Sequence, residues 1–453
     1  MIDNKKRYLV AGTGKSGVAA AKLLVEKGFS VRLYDGNEAL DAALFYEKHP
    51  ELKGIEILLG TLPEEEMKQT DILVLSPGIP TDLPMVLAMK QMGATVWGEI
   101  ELAYAFAKGR LLAITGTNGK TTTTALLGEI LKEHYPDVRV VGNIGIPYTS
   151  VAADTTDETV TAAEISSFQL ETIHTFAPEV TAILNITPDH LNRHHTMEQY
   201  IAAKESITKN QKPTDLCVLN YEDEVLRAFG EQLSTRVMWF SSGRELTDGF
   251  YLKDHTIFLA REGSVSEVVK TEELKLLGKH NYENVMAAAA MAYGIGVPLR
   301  SIRKVLLRFT AVEHRIEYVA EKRGVCFYND SKATNPDAAI QGIKAMERKT
   351  YLIGGGCDKG SDYGTWIEAF DGKVKELVLI GETAEAIAKA AKARGFSAVT
   401  FANTLQEAVL ACYAHAEKGD AVLLSPACAS FGMFLNYEER GRIFKEIVQN
   451  LEE

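Results

Sequence analysis

Short runs of apolar residues alternate along this chain with longer segments in which apolar positions recur with a helical period. Such runs are typical of strands buried on both faces of a parallel sheet, and the longer segments are typical of amphipathic helices. The pattern therefore predicts an α/β fold in which mostly parallel sheets are covered by helices. The predicted strands are residues 8–11, 31–34, 72–75 and 95–97, then 111–115, 138–141, 159–163, 180–186 and 216–219, and finally 325–328, 350–353, 377–380, 398–401 and 421–424.

The strands fall into three groups, and a chain of 453 residues is long enough for about three domains that each bury a core. We predict a small Rossmann-like domain over 1–98, a central parallel-sheet domain over 99–311 and a second Rossmann-like domain over 312–453. A hairpin over 250–262 and an alanine-rich helix over 282–293 are predicted within the central domain. Parallel sheets bind ligands at the carboxyl ends of their strands, so the loops after the strands are the candidate sites.

Composition narrows the class of protein. Hydrophobic residues make up 46% of the chain and charged residues 24%, and no apolar run reaches the roughly 18 residues that span a bilayer. The formal net charge of −12 disfavours nucleic-acid binding. The five cysteines form no C-x-x-C pair, which indicates reduced thiols rather than disulfides or a zinc site. We expect a cytoplasmic protein that binds neither nucleic acid nor membrane.

A glycine-rich turn lies between the predicted strand 111–115 and a predicted helix over 121–131. In such a turn backbone N–H groups face phosphate oxygens, the helix N-terminus adds positive potential, a lysine adds charge and a threonine hydroxyl can bind Mg²⁺. The usual motif, G-x-x-x-x-G-K-[ST], requires glycine where Ile114 stands, so this loop is two residues shorter. We predict a nucleoside triphosphate site, rather than a chance turn, formed by Gly116, Thr117, Asn118, Gly119, Lys120, Thr121 and Thr122.

A second glycine-rich turn, at residues 12–17, follows the first strand and matches G-x-G-x-x-G. Asp35 ends the next strand, where an acid can bind a ribose hydroxyl. The motif is compatible with NAD. The same turn can also hold the diphosphate of another nucleotide, such as a uridine diphosphate on a substrate, because backbone amides bind phosphates and not bases. A tight turn without a ligand is the third interpretation.

Polar residues follow the central strands at the edge where the phosphate loop lies. Glu164 follows one strand in a position suited to holding the Mg²⁺ of a bound triphosphate. His190 follows the next strand and can bind a metal, whereas His194 and His195 are interpreted as solvated. Lys204, judged from pattern alone, is interpreted as a lysine on a helix surface.

Three strands of the last domain are followed by polar or glycine-rich loops, at 329–335, 354–360 and 425–431. Because these strands belong to one predicted parallel sheet, the loops should share an edge that can bind a small anionic substrate. Arg315 carries a guanidinium suited to phosphate, although a surface ion pair is equally compatible. Cys428 has no base beside it in the sequence, so we do not predict a nucleophilic cysteine.

Taken together, several motifs of this chain resemble those of the Mur ligase family, and the resemblance spans the whole sequence. The short phosphate loop is this family's own form, which accounts for Ile114. The chain is most similar to the members that add D-glutamate, because of segment 425–431, its length and its nucleotide-like first domain, and it lacks the D-N-P-R sequence of the diamino-acid-adding members. The motifs are Gly116-Thr117-Asn118-Gly119-Lys120-Thr121-Thr122, Glu164-Ile165-Ser166-Ser167-Phe168-Gln169, Asn185-x-x-x-Asp189-His190, His280-Asn281-x-x-Asn284, His314-Arg315 and Asn329-Asp330-Ser331-Lys332-Ala333-Thr334-Asn335.

The resemblance implies an ATP-dependent amide ligase of peptidoglycan precursor synthesis. ATP would phosphorylate the carboxylate of UDP-N-acetylmuramoyl-L-alanine, the amine of D-glutamate would attack the acyl phosphate, and phosphate would leave. The first domain would bind the UDP-linked substrate, the central domain ATP and the last domain the amino acid. The implied cofactors are ATP and two Mg²⁺ ions, the implied partners are these small molecules, and a monomer is the default state.

The resemblance also implies roles for single residues. The implied catalytic residues are Lys120, Glu164, His190 and Lys204. Thr121 and Glu164 would hold one Mg²⁺, while His190 and a carbamylated Lys204 would hold the second. This reverses the interpretation of Lys204 as a surface residue. Asn37 stands where some relatives have arginine, so one charged contact to the nucleotide is missing. The other implied contacts are Asn284, Arg315 and Asp330 for ATP; Lys15, Ser16, Asp35, Asn37, Gly78 and Asn143 for the UDP-linked substrate; and Lys332, Thr334, Lys359, Ser430, Phe431 and Tyr437 for D-glutamate.

Three alternatives remain open from the sequence. Folylpolyglutamate synthase shares the last two domains but gives no role to the turn at 12–17. A dinucleotide oxidoreductase with an additional phosphate loop would bind NAD. A regulatory ATP-binding protein would hydrolyse ATP slowly and form no amide. ADP release that requires both an acceptor and an amino acid distinguishes the ligase from the last two.

Overall fold

The residues that the structure describes form three sheets, one within each predicted domain. Residues up to Lys270 together with Glu283–Leu306 form one compact unit, which holds the first two sheets, and Thr271–Tyr282 with the residues from Leu307 onward form a second, which holds the third. The predicted fold class is confirmed, whereas the domain boundaries stay a prediction. The structure is a computed structural model that describes residues 5–143, 145–276, 278–310, 313–357 and 361–452, apart from the side chain of Asn192.

The first sheet is Rossmann-like. Its elements are β1 (Arg7–Ala11), α1 (Lys15–Glu26), β2 (Ser30–Asp35), α2 (Ala42–Lys48), β3 (Ile57–Leu59), α3 (Glu64–Gln69), β4 (Ile72–Leu75), α4 (Pro84–Gln91) and β5 (Thr95–Gly98). The strands pair in parallel in the order β3-β2-β1-β4-β5. Gly17 allows α1 to pack close to the first turn, because a Cβ there would lie 1.8 Å from the Gly12 carbonyl oxygen. Both α2 and β3 were missing from the sequence-based prediction, since they are short and only partly buried.

The central sheet surrounds the phosphate loop. Its elements are α5 (Glu99–Phe106), β6 (Arg110–Thr115), α6 (Lys120–Lys132), β7 (Val138–Gly142), β8 (Val160–Glu164), α7 (Ser167–Leu170), β9 (Val180–Ile183), α8 (Leu191–His194), α9 (Met197–Glu205), β10 (Leu216–Asn220), α10 (Glu224–Gly230), β11 (Arg236–Ser241), β12 (Gly249–Lys253), β13 (Thr256–Arg261), β14 (Ser264–Lys270), α11 (Lys279–Gly294) and α12 (Leu299–Leu306). The strand order is β14-β13-β12-β11-β10-β9-β6-β8-β7. Strands β8, β9 and β10 are buried along their whole length, which explains their continuous apolar sequence.

Two parts of the central domain differ from the prediction. The predicted hairpin is a three-stranded antiparallel extension, β12 to β14, that joins the parallel part through the unpredicted strand β11. The predicted strand 180–186 ends at Ile183, because residues from Leu184 onward turn to hold the phosphate loop. Among the described residues, no helix is long and apolar enough to cross a membrane.

The third sheet is again mainly parallel. Its elements are β15 (Glu317–Lys322), β16 (Val325–Asn329), α13 (Pro336–Ala345), β17 (Thr350–Gly354), α14 (Gly364–Glu368), β18 (Val374–Leu379), α15 (Ala384–Ala393), β19 (Val399–Phe401), α16 (Leu405–His415), β20 (Ala421–Leu424) and α17 (Tyr437–Gln449). The order is β15-β16-β20-β17-β18-β19, with only the unpredicted edge strand β15 antiparallel to its neighbour. The predicted start of α13 is confirmed, since the Asn335 side chain accepts a hydrogen bond from the Ala338 N–H at 2.9 Å.

Candidate active site

The phosphate loop joins the buried strand β6 to α6 in a tightly wound turn. Gly119 has φ +85°, and a Cβ there would lie 2.2 Å from Oδ1 of Asn284, so both backbone and space require glycine. The Lys120 Nζ donates to the carbonyl oxygens of Gly116 and Thr117, at 2.8 Å each. The lysine ammonium is therefore folded back over the loop, where phosphate oxygens would be expected.

The short loop is braced by the segment after β9. The Asn118 N–H donates to Oδ1 of Asn185 at 2.8 Å, and the Thr117 N–H donates to the Asn185 carbonyl at 2.9 Å. The Thr117 hydroxyl donates to the Thr187 carbonyl at 3.1 Å. These bonds hold a turn that lacks two residues of the usual motif, and they give Asn185 a structural role that its sequence motif did not reveal.

A buried carboxylate lies at the end of β8. Glu164 is 2% exposed, and its Oε1 accepts a hydrogen bond from Nδ2 of Asn143 at 2.8 Å. Within the part of the chain that the structure describes, its Oε2 is buried and has no hydrogen-bond partner. A buried carboxylate oxygen without a partner is costly, so this position suits a cation. Thr121, in the first turn of α6, is also buried.

Lys204 is one of the most buried charged side chains of the described residues. It is 1% exposed, and its Nζ donates to the Gly116 carbonyl at 2.8 Å and lies 4.6 Å from the centre of the Tyr200 ring. Burial, together with the positive charge of Lys120, lowers the pKa of Lys204 to about 6. Its interpretation as a surface lysine, drawn from pattern alone, is wrong. The Nζ atoms of Lys120 and Lys204 donate to the same carbonyl oxygen of the loop.

His190 precedes α8 in a left-handed conformation with φ +53°. Its ring is half-exposed and its Nε2 lies 3.4 Å from Oδ2 of Asp189. The prediction that His194 is solvated is wrong, because that ring is 4% exposed and stacks 5.3 Å from Phe168. His195, by contrast, is exposed.

Asn284 lies on α11 next to the phosphate loop. Its Oδ1 accepts a hydrogen bond from the Thr123 hydroxyl at 3.2 Å, one turn into α6. The side chain therefore reaches the loop at Gly119. Thr122, which follows Lys120 and Thr121 in the same helix, is buried.

In the first domain, Asp35 closes the turn that follows β1. Its Oδ2 accepts hydrogen bonds from the Thr13 N–H at 3.1 Å and the Thr13 hydroxyl at 2.6 Å, and Oδ1 accepts from the Asn37 N–H at 3.0 Å. Burial acts to raise the pKa of Asp35, but these bonds outweigh it and hold the pKa below its ordinary value. Lys15 and Gly14 are exposed at the start of α1, where Lys15 lines a cavity of about 720 Å³.

The remaining residues predicted for the UDP-linked substrate lie near this turn or after the neighbouring strand. Ser16 follows Lys15 in the first turn of α1. Gly78 lies in the loop after β4, and the space on its Cβ side is open. Strand β4 pairs directly with β1, so both loops leave the same edge of the first sheet.

At one edge of the third sheet, Asp330, the acid predicted to contact ATP, lies next to residues of the neighbouring loops. Asp330 is 6% exposed, and its Oδ2 accepts a hydrogen bond from the Ser425 hydroxyl at 2.7 Å. Burial raises the pKa of Asp330 to about 7, against the bond from Ser425 and the positive charge of Arg315. The Gly355 N–H donates to the Pro426 carbonyl at 2.8 Å, so the loops after β16, β17 and β20 meet as predicted.

Of the residues predicted for the amino acid, those that the structure describes lie in the loops after β16 and β20 or at the start of α17. The Lys332 Nζ lies 5.3 Å from the centre of the Tyr437 ring, and the Thr334 N–H donates to the Lys332 carbonyl at 2.9 Å. Ser430 is buried, whereas Phe431 is 58% exposed. Lys359 lies outside the described residues.

The geometry of the central loop defines the class of the protein. The loop has a left-handed backbone that favours glycine, two lysines donate to one of its carbonyl oxygens, and a buried acid ends the neighbouring strand. These features are those of a P-loop nucleotide-binding domain, which two Rossmann-like domains accompany here. Family comparison agrees over most of the chain. The domain described as "Mur ligase MurD-like, N-terminal domain" matches residues 6–98, "Mur ligase middle domain" matches 114–292, and "Mur ligase, glutamate ligase domain" matches 314–428.

The chain belongs to the Mur ligase family, as its motifs predicted. It is 54% identical to the UDP-N-acetylmuramoylalanine--D-glutamate ligase of Lachnoclostridium phytofermentans, with 99% of each chain covered. It is 52% identical to the enzyme of the same name from Lachnospira eligens, covering 98% of this chain and 99% of the other, and 42% identical to that of Clostridioides difficile, with the same coverage.

Solved structures agree on the fold. The UDP-N-acetylmuramate-alanine ligase MurC of Thermotoga maritima matches with a TM-score of 0.60 at 20% identity, covering 98% of this chain and 99% of that one. A crystal structure of MurF from Acinetobacter baumannii matches with a TM-score of 0.61 at 18% identity, covering 98% and 94%. At these identities the likeness concerns the three-domain fold alone.

Proposed function

We propose that this chain is an ATP-dependent ligase that joins D-glutamate to UDP-N-acetylmuramoyl-L-alanine in peptidoglycan precursor synthesis. The observation that carries this proposal is the 42% to 54% identity, over nearly the whole chain, to relatives named for this reaction. Because substrate and product are nucleotide-linked and ATP is consumed, we further propose that it works in the cytoplasm. A monomer is the default state that we propose for it.

The first step needs a triphosphate held in place and a stabilised transfer of its γ-phosphoryl group. Backbone amides of the loop 116–122 and the Lys120 ammonium would bind the phosphates, since the Lys120 ammonium already lies over this turn. Asn284, Arg315 and Asp330 would contact the rest of ATP. The muramoyl-alanine carboxylate is a poor electrophile, and its phosphorylation supplies a leaving group.

The residues present fit a magnesium ion. The Thr121 hydroxyl and the partnerless Oε2 of Glu164 would hold one ion, while Asn143 fixes the other carboxylate oxygen. The described residues contain no cluster of three or more His, Cys, Asp or Glu side chains suited to a metal, which agrees with an ion bound mainly through phosphate and water. When bound, Mg²⁺ neutralises charge on the transferring phosphoryl group.

Lys204 has the properties that carbamylation requires. Its low pKa leaves a neutral amine at neutral pH, and that amine can attack carbon dioxide, form a C–N bond and release a proton to give a carbamate anion. The carbamate would replace this buried amine with a carboxylate-like group. Together with His190 it would bind the second Mg²⁺.

The two outer domains would present the remaining substrates. Lys15, Ser16, Asp35, Asn37 and Gly78 would bind the uridine diphosphate at the edge of the first sheet where the turn closed by Asp35 and the loop of Gly78 leave neighbouring strands. The edge of the third sheet would bind D-glutamate, whose two carboxylates match cationic and hydroxyl groups. The amine of D-glutamate would then attack the acyl phosphate, and the tetrahedral intermediate would lose phosphate to leave the amide. The residues proposed for D-glutamate are Lys332, Thr334, Lys359, Ser430, Phe431 and Tyr437.

Release of ADP and phosphate tests the proposal directly. With UDP-N-acetylmuramoyl-L-alanine, ATP and Mg²⁺, we expect rapid release with D-glutamate and at least about a hundredfold less with L-glutamate or meso-diaminopimelate, because a site built for specific polar contacts rejects ligands that leave them unpaired. Equal rates with the three amino acids would contradict the substrate assignment. Reaction without any UDP-linked acceptor would contradict the ligase assignment.

A further inference from the structure

A partly buried ion pair connects three segments that carry predicted site residues. Nη2 of Arg193, on α8, donates to Oε2 of Glu171 at 3.1 Å and to the carbonyl oxygen of Ile79 at 3.2 Å. The hydroxyl of Thr81 donates to the same Glu171 Oε2 at 3.0 Å. One carboxylate oxygen therefore receives hydrogen bonds from the central domain and from the loop after β4 in the first domain.

The pair is well shielded from water. The side chains of Arg193 and Glu171 are 14% and 16% exposed, and the Arg193 guanidinium lies 4.7 Å from the centre of the Phe168 ring. Charged hydrogen bonds with so little access to solvent are screened weakly and have a defined geometry. Most ion pairs on a protein surface have neither property.

Each segment that the pair holds leads to a predicted site residue. Ile79 directly follows Gly78, and Arg193 lies three positions after His190, whose backbone is left-handed. Glu171 follows the short helix α7, which begins three residues after Glu164 and is fixed by a capping box between Ser166 and Gln169. The pair thus joins the loop of the UDP-linked substrate to both sides of the metal site.

A second contact runs through His194. Its Nδ1 lies 3.5 Å from Oε1 of Glu171, and its Nε2 lies 2.9 Å from the Ser167 hydroxyl. The Phe168 ring lies 5.0 Å from the ring of His190 and 5.3 Å from that of His194. Both carboxylate oxygens of Glu171 therefore have partners on α8, and that helix has little freedom to shift.

We propose that Arg193 and Glu171 are positioning residues of the ligase reaction. They hold the His190 segment and the Gly78 loop against the helix that follows Glu164. This sets the distance between the bound sugar nucleotide and the site of phosphoryl transfer, so the muramoyl carboxylate meets the γ-phosphate in a productive arrangement. The inference rests on the proposed function and adds two residues that are not among those proposed to contact substrate or metal.

The test compares Arg193→Met with Arg227→Met in the full chain. Arg227 is a matched control in the same domain, since its Nη1 donates to the Tyr221 carbonyl at 3.0 Å and its guanidinium lies 5.3 Å from the Tyr221 ring. We measure Tm, kcat and the KM of each substrate. For Arg193→Met we expect kcat/KM for the UDP-linked substrate to fall roughly thirtyfold, because charged hydrogen bonds are lost, while the KM of ATP changes less than about twofold.

Two further variants distinguish positioning from general stabilisation. Arg193→Lys keeps the charge but not the planar donor, so we expect its kcat/KM to lie between wild type and Arg193→Met. Thr81→Val removes the other hydrogen bond to Glu171 Oε2. In the Arg193→Met background, we expect Thr81→Val to lower kcat/KM by less than it does in wild type, because both changes disrupt the same contact. In the Arg227→Met background, we expect it to lower kcat/KM by the same factor as in wild type.

The outcomes separate this inference from the function on which it rests. If wild type and Arg227→Met are active and Arg193→Met, corrected for its folded fraction, lies within twofold of Arg227→Met, the pair does not position the site. Additive effects of Thr81→Val and Arg193→Met would also overturn the inference. If wild type forms no product from the UDP-linked substrate, the proposed function fails and the inference falls with it.

Discussion

Two glycine turns of this chain look alike in sequence and differ in how the protein holds them. Each follows a buried strand and opens a helix, at residues 12–17 and 116–122. The first is closed by a carboxylate, Asp35, which accepts the Thr13 N–H. The second is braced by an amide, Asn185, and two lysine side chains donate hydrogen bonds to one of its carbonyl oxygens.

The difference indicates which turn is suited to catalysis. The outer turn uses a negative group to fix its shape and leaves its lysine exposed, which suits reversible binding of a nucleotide. The central turn has the Lys120 ammonium folded over it, on the sheet edge where the buried Glu164 has one oxygen, Oε2, without a hydrogen-bond partner in the described residues. Charge held in place before the reaction is the arrangement that stabilises phosphoryl transfer.

The largest expected effect comes from removing the central lysine. Lys120→Ala should lower kcat by on the order of a thousandfold, because the cation that faces the transferring phosphoryl group is lost. Lys15→Ala should only raise the KM of the UDP-linked substrate about threefold, since an exposed charge contributes little. Steady-state kinetics would measure both. Calorimetric binding of the UDP-linked substrate should be unchanged in Lys120→Ala, and its loss would indicate misfolding rather than a chemical role.

A smaller effect is expected from the glycines of the two turns. Gly119→Ala should reduce kcat roughly thirtyfold, because it combines a left-handed backbone with a Cβ only 2.2 Å from Oδ1 of Asn284. A Cβ at Gly14 meets nothing within 4 Å, so Gly14→Ser should leave kcat and the KM of ATP within about twofold of wild type. Kinetics with ATP varied would check this. Equal losses in the two variants would remove the distinction between the turns.

The smallest effect is a pH dependence of stability. The folded-state pKa of Lys204 is about 6, below the ordinary 10.5, so between these values the unfolded chain binds more protons and stability rises with pH. In buffer free of carbon dioxide, Lys204→Met should therefore have a Tm several degrees higher than wild type near pH 6. This advantage should shrink as pH rises towards 10. A pH-independent difference would mean that burial does not depress this pKa.

Much of the architecture was predictable because parallel strands buried on both faces need continuous apolar sequence. Strands β6, β8 and β10 were predicted within one or two residues of their observed bounds. The strands β3 and β15 were missed for different reasons: β3 has only three residues, and β15 is a partly exposed edge strand with few apolar positions. The family, its activity and the phosphate loop also followed from local motifs, whereas the roles of single site residues stay predictions.

The amino-acid sequence by itself determined the order of strands and helices, the glycine turns and the family, because each depends on residues close together in the chain. Tertiary structure alone decided that Lys204 is buried with a low pKa, that His194 is not solvated and that Arg193 pairs with Glu171. Burial and charge pairing depend on what other segments bring to a side chain. No spacing rule contains that information, since the partners lie many residues apart.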